Sequence, residues 1–571
     1  MHRGRPSSLP GLLAHPPRLA LVCAAACVVG CAAGLPPEMT SDLILTNGAV
    51  VTEDPARPGA RALAVRGDTI AAVGTDDDIV KLAGPKTRRI DLRGAMVVPG
   101  LIDAHGHVRS FGEELANLDL HGVASIEEVA RRVRERDAVL PPGAWITGHG
   151  WDQNLWPGKK FPDHRPLTEA APGRPVWLRR VDGHASWANR KAMEVAGVTR
   201  RTPEPSGGKI ERDARGDPTG VFVDNAQDLV KKARPAPTRE QIKEWLRLSL
   251  QRLAAGGLTE IHDASVDPED VDAYRELADE GNLPLRVYLM WNGIGKALIE
   301  PLVERPIFVN YRNRLTLRAV KLMVDGAMGS RGAVFQEDYS DDKGNRGLFV
   351  TEPDELERRA ELAMRKGYQV CTHAIGDRGI HLTIDAYEKA LAAVKPTDPR
   401  PRIEHLQCVT PEDVARLKPL GIIASMQPSH ATSDMYWAED RVGPERGKGL
   451  YAWRWVLDSG VIIAAGSDFP VDPEKPLIGL HSAVTRQDLK NWPAGGWHPD
   501  QKMSFEEALR AYTRGAAYAA YEEDHKGRIA PGYWADLTVI GKDLREIPPE
   551  EIPNAGIDFT IVGGSVVYER R

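Results

Sequence analysis

The sequence predicts an α/β protein built around a closed barrel of parallel strands, with a smaller β domain formed by both ends of the chain. Between residues 96 and 520, short apolar runs alternate with helical stretches, whereas the flanking segments show strand and turn patterns. The alternation is typical of parallel strands, and the number of units favours a closed barrel over an open sheet. In such barrels the chemistry lies at the carboxyl ends of the strands. Residues that follow the apolar runs are therefore the first candidates for a functional site.

The two ends of the chain are rich in short strands. Residues 42–95 contain two apolar stretches, each divided by a turn, at Asn47-Gly48 and at Gly67-Asp68. These turn residues between apolar runs indicate hairpins. Residues 521–571 contain similar runs. We therefore expect 42–95 and 521–571 to form one composite sheet domain and 96–520 to form the barrel.

The segment 108–235 interrupts the rhythm of the barrel. It is rich in Pro, Gly and Trp, and it contains a predicted hairpin around Gly216-Asp217. An excursion of this length is usually a functional lid or an inserted subdomain. A purely structural cover on one end of the barrel is the alternative.

The N-terminus has the pattern of an export signal. Residues 2–18 carry three arginines and no acid, and the apolar run 19–30 that follows is too short to span a bilayer. The sequence Val-Val-Gly before Cys31 resembles a bacterial lipobox. We expect residues 1–30 to be a lipoprotein signal peptide and Cys31 to be lipidated, so that the exported protein is anchored to a membrane. An ordinary signal cleaved near residues 32–33 is the alternative.

The composition excludes several classes of protein. A formal net charge of -6 gives no reason to expect a nucleic acid as partner. Only Cys371 and Cys408 lie beyond residue 31, so the fold is not built on disulfides. A hydrophobic content of 42% and a charged content of 27% are ordinary for a globular protein with a large core.

The motif Asp-Ala-His-Gly-His at 103–107 directly follows a buried apolar run. Alternate residues of a strand point to the same face, so His105 and His107 leave the backbone together. Two imidazoles at the end of one strand can hold a metal ion. Two polar residues at a solvated strand end are the alternative.

Four more ionisable residues follow apolar runs further along the chain: Lys321, His373, His405 and Asp468. Each has an ordinary structural explanation when taken singly. Together with the His-x-His pair they form an ordered set at successive strand ends, which predicts a metal site at one end of the barrel. His262 also ends a predicted strand, and we interpret it as structural.

With these residues in place, the chain resembles the amidohydrolase superfamily, and within it the branch often called amidohydrolase family 3, which includes N-substituted formamide deformylases. The resemblance covers roughly residues 42–570. It implies a (β/α)8 TIM-like barrel, a small β-sandwich from both termini, an insertion after the first barrel strand and a hydrolytic site with one or two divalent ions, of which zinc is expected. The matching motifs lie at 99–107, 207–220, 325–331, 466–470 and 527–537.

The resemblance also implies roles for the ligand residues. His105 and His107 would bind the more buried ion, and His373 and His405 the more exposed one. An ammonium group has no acceptor and cannot ligate. The resemblance implies that the amine of Lys321 is carboxylated by CO2, and the resulting carbamate could bridge the two ions. A plain ion pair of Lys321 with Asp325 is the alternative.

Asp468 would ligate one ion and act as the general base and acid. It would accept a proton from an ionising, metal-bound water and then deliver it to the leaving group. His184 matches a substrate-contacting position of the branch and would polarise the carbonyl. The further pocket candidates are Trp151, Asp152, Arg331, Gln427 and His430.

These features predict a metal-dependent hydrolase of C–N bonds in small amides, such as N-formyl or N-acyl amines, enclosed beneath the 108–235 insertion. Trp151 and Trp156 follow the run 144–147, so we expect both rings over the metal, where they would favour a hydrophobic substrate. Two alternatives stay open: an ester-hydrolysing or non-hydrolytic enzyme on the same site, and a binding lipoprotein with vestigial chemistry. The oligomeric state is open as well, with a homodimer as one alternative.

Overall fold

The computed structural model describes residues 40–180, 185–205, 208–294 and 299–571. The predicted signal peptide and Cys31 lie outside these residues, so export and lipidation stay predictions. The N-terminal part forms strands β1 to β6 and a short helix α1: β1 (Ser41–Thr46), β2 (Ala49–Val50), β3 (Ala62–Arg66), β4 (Thr69–Gly74), α1 (Asp76–Val80), β5 (Ala83–Asp91) and β6 (Met96–Pro99). Four of these strands make one sheet, in the order β4-β3-β1-β5.

The first barrel strand is followed by the insertion, which has a sheet of its own with the order β12-β13-β11-β10-β9-β8. The elements from the first barrel strand to the end of the insertion are β7 (Leu101–Gly106), α2 (Val108–Ala116), β8 (Leu118–Asp119), α3 (Ile126–Val139), β9 (Ile146–Trp151), α4 (Arg165–Ala170), β10 (Val176–Arg180), β11 (Ala185–Ala188), α5 (Arg190–Val195), β12 (Gly208–Arg212), β13 (Pro218–Asp224) and α6 (Asp228–Lys231). Trp151, Trp156 and Trp187 lie in a separate hydrophobic core inside this unit.

The barrel then continues with alternating helices and strands. Its elements are α7 (Arg239–Ala255), β14 (Leu258–Val266), α8 (Pro268–Asp279), β15 (Arg286–Asn292), α9 (Glu300–Val303), β16 (Phe308–Tyr311), β17 (Leu315–Met323), α10 (Pro353–Arg365), β18 (Gln369–Ala374), α11 (Asp377–Val394), β19 (Arg402–His405), α12 (Pro411–Leu417), β20 (Ile423–Met426), α13 (Pro428–Asp434), α14 (Ala438–Gly447), α15 (Trp453–Asp458) and β21 (Ile463–Ala465). Eight of the strands pair in parallel, in the order β7-β14-β15-β17-β18-β19-β20-β21.

Backbone hydrogen bonds join the two ends of this path. The amide of Asp468, just after β21, donates to the carbonyl of His105 in β7 at 2.8 Å, and the amide of His107 donates to the carbonyl of Phe469 at 2.9 Å. The Asp103 carboxylate also accepts from the hydroxyl of Ser467 at 2.7 Å. The predicted (β/α)8-like barrel is therefore confirmed.

The C-terminal part supplies the second partner of β6, which also pairs with β2. It consists of α16 (Pro476–Thr485), α17 (Phe505–Arg510), a π-helical turn (Ala511–Gly515), α18 (Ala516–Ala519), β22 (Leu537–Ile540), β23 (Ile557–Val562) and β24 (Ser565–Glu569). The five strands pair in the order β2-β6-β22-β23-β24, and one buried cluster contains residues of this sheet and of the β1 sheet. The two sheets thus share a core, as in a small β-sandwich.

The structure also divides a run that the sequence presents as one strand. Residues 96–99 pair with β22 in the terminal sheet, and residues 101–106 belong to the barrel. Gly100 lies between them, and a Cβ at this position would collide with the side chain of Thr259. The chain passes from one sheet to the other where only glycine fits.

Among the described residues, the helices are too short or too polar to cross a membrane.

Candidate metal centre

The barrel brings all six predicted ligand residues to the carboxyl ends of its strands. His105 lies near the end of β7, Lys321 near the end of β17, His373 in β18 and His405 at the end of β19. His107 follows β7, and Asp468 follows β21. All except the half-buried His107 are buried. Sequence periodicity and barrel topology together are sufficient to explain this convergence.

Asp468 faces the His-x-His pair. Its Oδ1 lies 3.0 Å from Nε2 of His107 and 3.5 Å from Nε2 of His105. Ligand atoms of these three residues all lie within 4.8 Å of one another. The buried Oδ1 makes no regular hydrogen bond with the described residues. A cation among these three groups would satisfy that oxygen.

A second group combines Asp468 with His405 and His430, again within 4.8 Å of one another. Nε2 of His430 is buried, has no regular hydrogen-bond partner among the described residues, and lies 3.7 Å from Oδ2 of Asp468. His430, predicted as a pocket residue, therefore occupies a position from which an imidazole can ligate. His373 lies outside this group, with its ring centroid 4.5 Å from that of His405 and its Nε2 3.5 Å from the carbonyl oxygen of Gly326.

Two acceptors fix the orientation of the histidines. Nδ1 of His105 lies 2.6 Å from Oε2 of Glu404, and Nδ1 of His405 lies 2.8 Å from Oε1 of Gln427. Because each partner atom is an acceptor, the hydrogen belongs on Nδ1 and the lone pair on Nε2. Neutral imidazoles and a carboxylate are metal ligands that suit zinc and similar divalent ions. The residues present therefore fit such an ion.

The protonation states agree with this donor set. Burial, with the positive charge of Lys321 as the next cause, lowers the pKa of His105 to about 4, and burial lowers the pKa of His373 to about 3. Burial alone would raise the pKa of Asp468, but the close contact of its Oδ1 with Nε2 of His107 and the other neighbouring imidazoles outweigh burial and hold that pKa well below its usual value. At neutral pH, His105 and His373 are neutral and Asp468 is ionised.

Lys321 is buried beside His105, with Nζ 3.3 Å from Nε2 of that ring. Burial lowers the pKa of Lys321. Asp325, the alternative partner, instead accepts hydrogen bonds from the amides of Val334, Ile375 and Gly376 at 2.9, 3.1 and 2.9 Å. The carboxylate of Asp325 is therefore occupied by backbone donors.

Five of the six predicted ligand residues line a cavity of about 370 Å³: His107, Lys321, His373, His405 and Asp468. Its lining also contains apolar side chains, among them Ile294, Met323, Met328, Ile375, Trp437 and Val471. A cavity of this size and character suits a small molecule with a polar reacting group and an apolar substituent.

The structure corrects the interpretation of Trp151 as a cavity residue. Its ring is fully buried, stacks on Trp156 at a centroid distance of 5.7 Å, and donates its indole N–H to the carbonyl of Leu178 at 3.0 Å. Trp156 donates likewise to the carbonyl of Val123 at 2.9 Å. Both rings fill the core of the insertion, where their apolar area is removed from water.

The remaining pocket candidates have other partners. Asp152 accepts from Arg180 at 2.7 Å within the insertion. Arg331 pairs with Asp341 at 2.8 Å. Gln427 holds His405, as described above, so its role is to orient a ligand. His184 lies outside the described residues.

Sequence reasoning missed one pair of residues, Arg402 and Glu404. Both are fully buried in the barrel, with Nε and Oε1 2.8 Å apart. Burial would raise the pKa of Glu404, but Arg402 and then His105 outweigh it and lower that pKa. The available signal was their spacing, since two ionisable residues at i and i+2 of a strand share one face.

Comparisons with known proteins extend over nearly the whole chain. The sequence model of the amidohydrolase family matches residues 88–568. The protein YtcJ of Bacillus subtilis (strain 168) is 33% identical over 535 residues, which cover 88% of this chain and 97% of YtcJ. An N-substituted formamide deformylase of Arthrobacter pascens is 29% identical over 548 residues, which cover 93% of this chain and 98% of the deformylase.

A solved structure shows the same arrangement of elements. An uncharacterized metal-dependent hydrolase from Pyrococcus furiosus matches with a TM-score of 0.74 at 28% sequence identity, covering 88% of this chain and 99% of that chain. The similarity thus includes the barrel and both terminal segments rather than the His-x-His motif alone.

Gly106, between the two histidines of the motif, provides a first test of the site. A Cβ at this position would collide with the buried ring of Phe469. Such overpacking typically costs ~1–3 kcal/mol, so Gly106→Ala should lower both the thermal unfolding midpoint and the zinc content. Gly74→Ala is the control, because Gly74 has open space around it. Wild-type values in Gly106→Ala would show that this close approach does not shape the site.

Proposed function

The chain belongs to the amidohydrolase family, and on that premise we propose that it is a metal-dependent hydrolase of C–N bonds in small amides, such as N-formyl or N-acyl amines. The observation that carries the proposal is the convergence of the His-x-His pair, His405 and Asp468 on one cavity. The relative named as an N-substituted formamide deformylase supports the type of bond. Family membership was predicted from the motifs and is confirmed.

The donor set supports one or two divalent ions, with zinc expected. His105, His107, His405 and Asp468 would hold them, together with His373 or His430. When bound, such ions lower the pKa of water toward neutrality and polarise a carbonyl group. The remaining contributions come from the side chains of the protein.

Asp468 supplies the proton transfer. Its carboxylate is ionised and buried, it lines the cavity, and it belongs to both groups of candidate ligands. It accepts a proton from the attacking water and returns that proton to the leaving nitrogen, so one group serves as base and then as acid. Its backbone has a φ of 60°, a conformation that is uncommon for a residue with a side chain and that concentrates at functional sites.

The burial of Lys321 supports the proposal that its amine is carboxylated to a carbamate. Burial lowers its pKa, which favours the neutral amine that can attack CO2. The nitrogen forms a bond to the carbon of CO2 and releases one proton, which leaves a carbamate with two oxygens. The oxygens of a carbamate can ligate a metal ion, whereas an ammonium group cannot.

The cavity supports a substrate with an apolar substituent. Six apolar side chains and five of the ligand residues line the same cavity of about 370 Å³. A small amide with an alkyl or aromatic group on nitrogen fits this division, because the apolar group is removed from water while the amide meets the ligands.

Replacing Lys321 tests the metal site. Lys321→Ala should lower the number of divalent ions per chain, measured by mass spectrometry of the protein purified in zinc, and acetate should restore part of the loss if a carboxylate is what the site needs. Lys389→Ala is the control, since this lysine pairs with Glu357 on the surface. Unchanged metal content in Lys321→Ala would contradict a ligating role.

Replacing Asp468 by asparagine keeps the shape of the side chain and removes the proton acceptor. General acid–base catalysis typically contributes ~10²–10⁴-fold to the rate. The kcat of Asp468→Asn, corrected for metal content, should therefore fall by ~10²-fold or more. A variant with near wild-type kcat would exclude Asp468 as the base.

Trp437 tests the apolar wall. Trp437→Ala should raise KM for N-alkyl formamides, and the increase should grow with the length of the alkyl chain. The metal content should stay unchanged, because Trp437 lines the cavity and is not one of the candidate ligands. Trp492→Ala is the control: this ring is 51% exposed and stacks on Tyr436 outside the cavity lining. Equal KM changes in both variants, or a preference for esters over every small amide, would contradict the proposed substrate.

A further inference from the structure

A row of buried charged side chains runs through the barrel from the metal centre. Glu404 contacts His105 at one end, and Arg402 follows, with Nη1 3.1 Å from Nδ1 of His262. Nε2 of His262 lies 3.2 Å from Oε1 of Glu260, which pairs with the buried Lys526 at the opposite end of the strands. The family ligand set does not account for these residues.

We propose that Glu404 is a positioning residue of the metal centre, fixing the tautomer and ring orientation of His105 so that Nε2 faces the cavity. The proposal rests on the proposed function, since it concerns how a ligand is presented to a divalent ion. Histidine ligands generally donate their second ring N–H to a carboxylate, carbonyl or water, and this bond raises the basicity of the ligating nitrogen.

The chemistry of the two ring partners distinguishes Glu404 from Gln427. Gln427 presents its oxygen to Nδ1 of His405 in this structure, but a side-chain amide can rotate to present its NH2 group instead, so its chemistry alone does not exclude the other tautomer. An ionised carboxylate only accepts. At 2.6 Å from Oε2 of Glu404, Nδ1 of His105 must therefore carry the hydrogen.

Arg402 holds this carboxylate in place. Its Nη2 donates to the carbonyl of Ala104 at 2.6 Å and to the hydroxyl of Ser425 at 2.9 Å, while its Nε lies 2.8 Å from Oε1 of Glu404. The guanidinium thus connects β19 with β7 and β20 across the inside of the barrel. A carboxylate held by these contacts has one orientation toward His105. It therefore holds the imidazole of His105 in one orientation as well, as a preorganised ligand requires.

The test compares Glu404→Gln with Glu260→Gln in the full-length protein. Both glutamates are at most 1% exposed and contact a buried histidine, but only His105 belongs to the metal centre. Zinc affinity is measured by competition with a chromophoric chelator, and the visible spectrum of the cobalt-loaded protein reports the ligand field. We expect Glu404→Gln to weaken zinc binding by ~10–100-fold and to shift the cobalt bands, and Glu260→Gln to do neither.

Glu404→Asp is the second variant. It keeps the charge beside Arg402 but is one methylene too short to reach His105, so it should also weaken zinc binding. This variant keeps the proposal testable if Glu404→Gln does not fold. Wild-type affinity and spectra in the Glu404 variants, or equal losses in Glu260→Gln, would overturn the positioning role while leaving the proposed function intact. A wild-type protein that binds neither zinc nor cobalt would overturn both.

Discussion

The hydrogen-bonded seam between the first and last barrel strands is the constraint on which the site depends. The amide of Asp468 donates to the carbonyl of His105, and the amide of His107 donates to that of Phe469, at 2.8 and 2.9 Å. The buried Asp103–Ser467 hydrogen bond reinforces the same seam. One set of contacts therefore closes the barrel and sets Asp468 against the two histidines. The geometry of the proposed site is therefore a direct consequence of barrel closure.

Burial determines the chemistry that this geometry can perform. Removal from water keeps His105 and His373 neutral, which is the form that ligates, while the contact with His107 keeps Asp468 ionised. A buried polar atom without a partner costs roughly 1–3 kcal/mol. At the centre, Oδ1 of Asp468 and Nε2 of His430 are buried and make no regular hydrogen bond with the residues that the structure describes. A divalent ion would satisfy both, which makes the metal a part of the stability of the site as well as of its chemistry.

The sequence was sufficient to predict the barrel and the six residues that line one end of it, because strand periodicity and the direction of parallel strands place them there without knowledge of packing. It failed where partners come from distant elements. Trp151 was placed over the metal, yet it packs inside the insertion. Gln427 and Glu404 hold histidines through hydrogen bonds, and nothing in local sequence shows which ring an acceptor will meet. The division of 96–106 at Gly100 depends on the approach of Thr259 from another strand.

The central claim is that amide hydrolysis in this protein depends on divalent ions held at the barrel end. The most direct measurement is the rate of hydrolysis of a small N-formyl amine by metal-free, full-length protein as zinc is added in known equivalents. We expect no hydrolysis without metal and a rate that rises until one or two ions are bound per chain. Full activity of rigorously metal-free protein would contradict it.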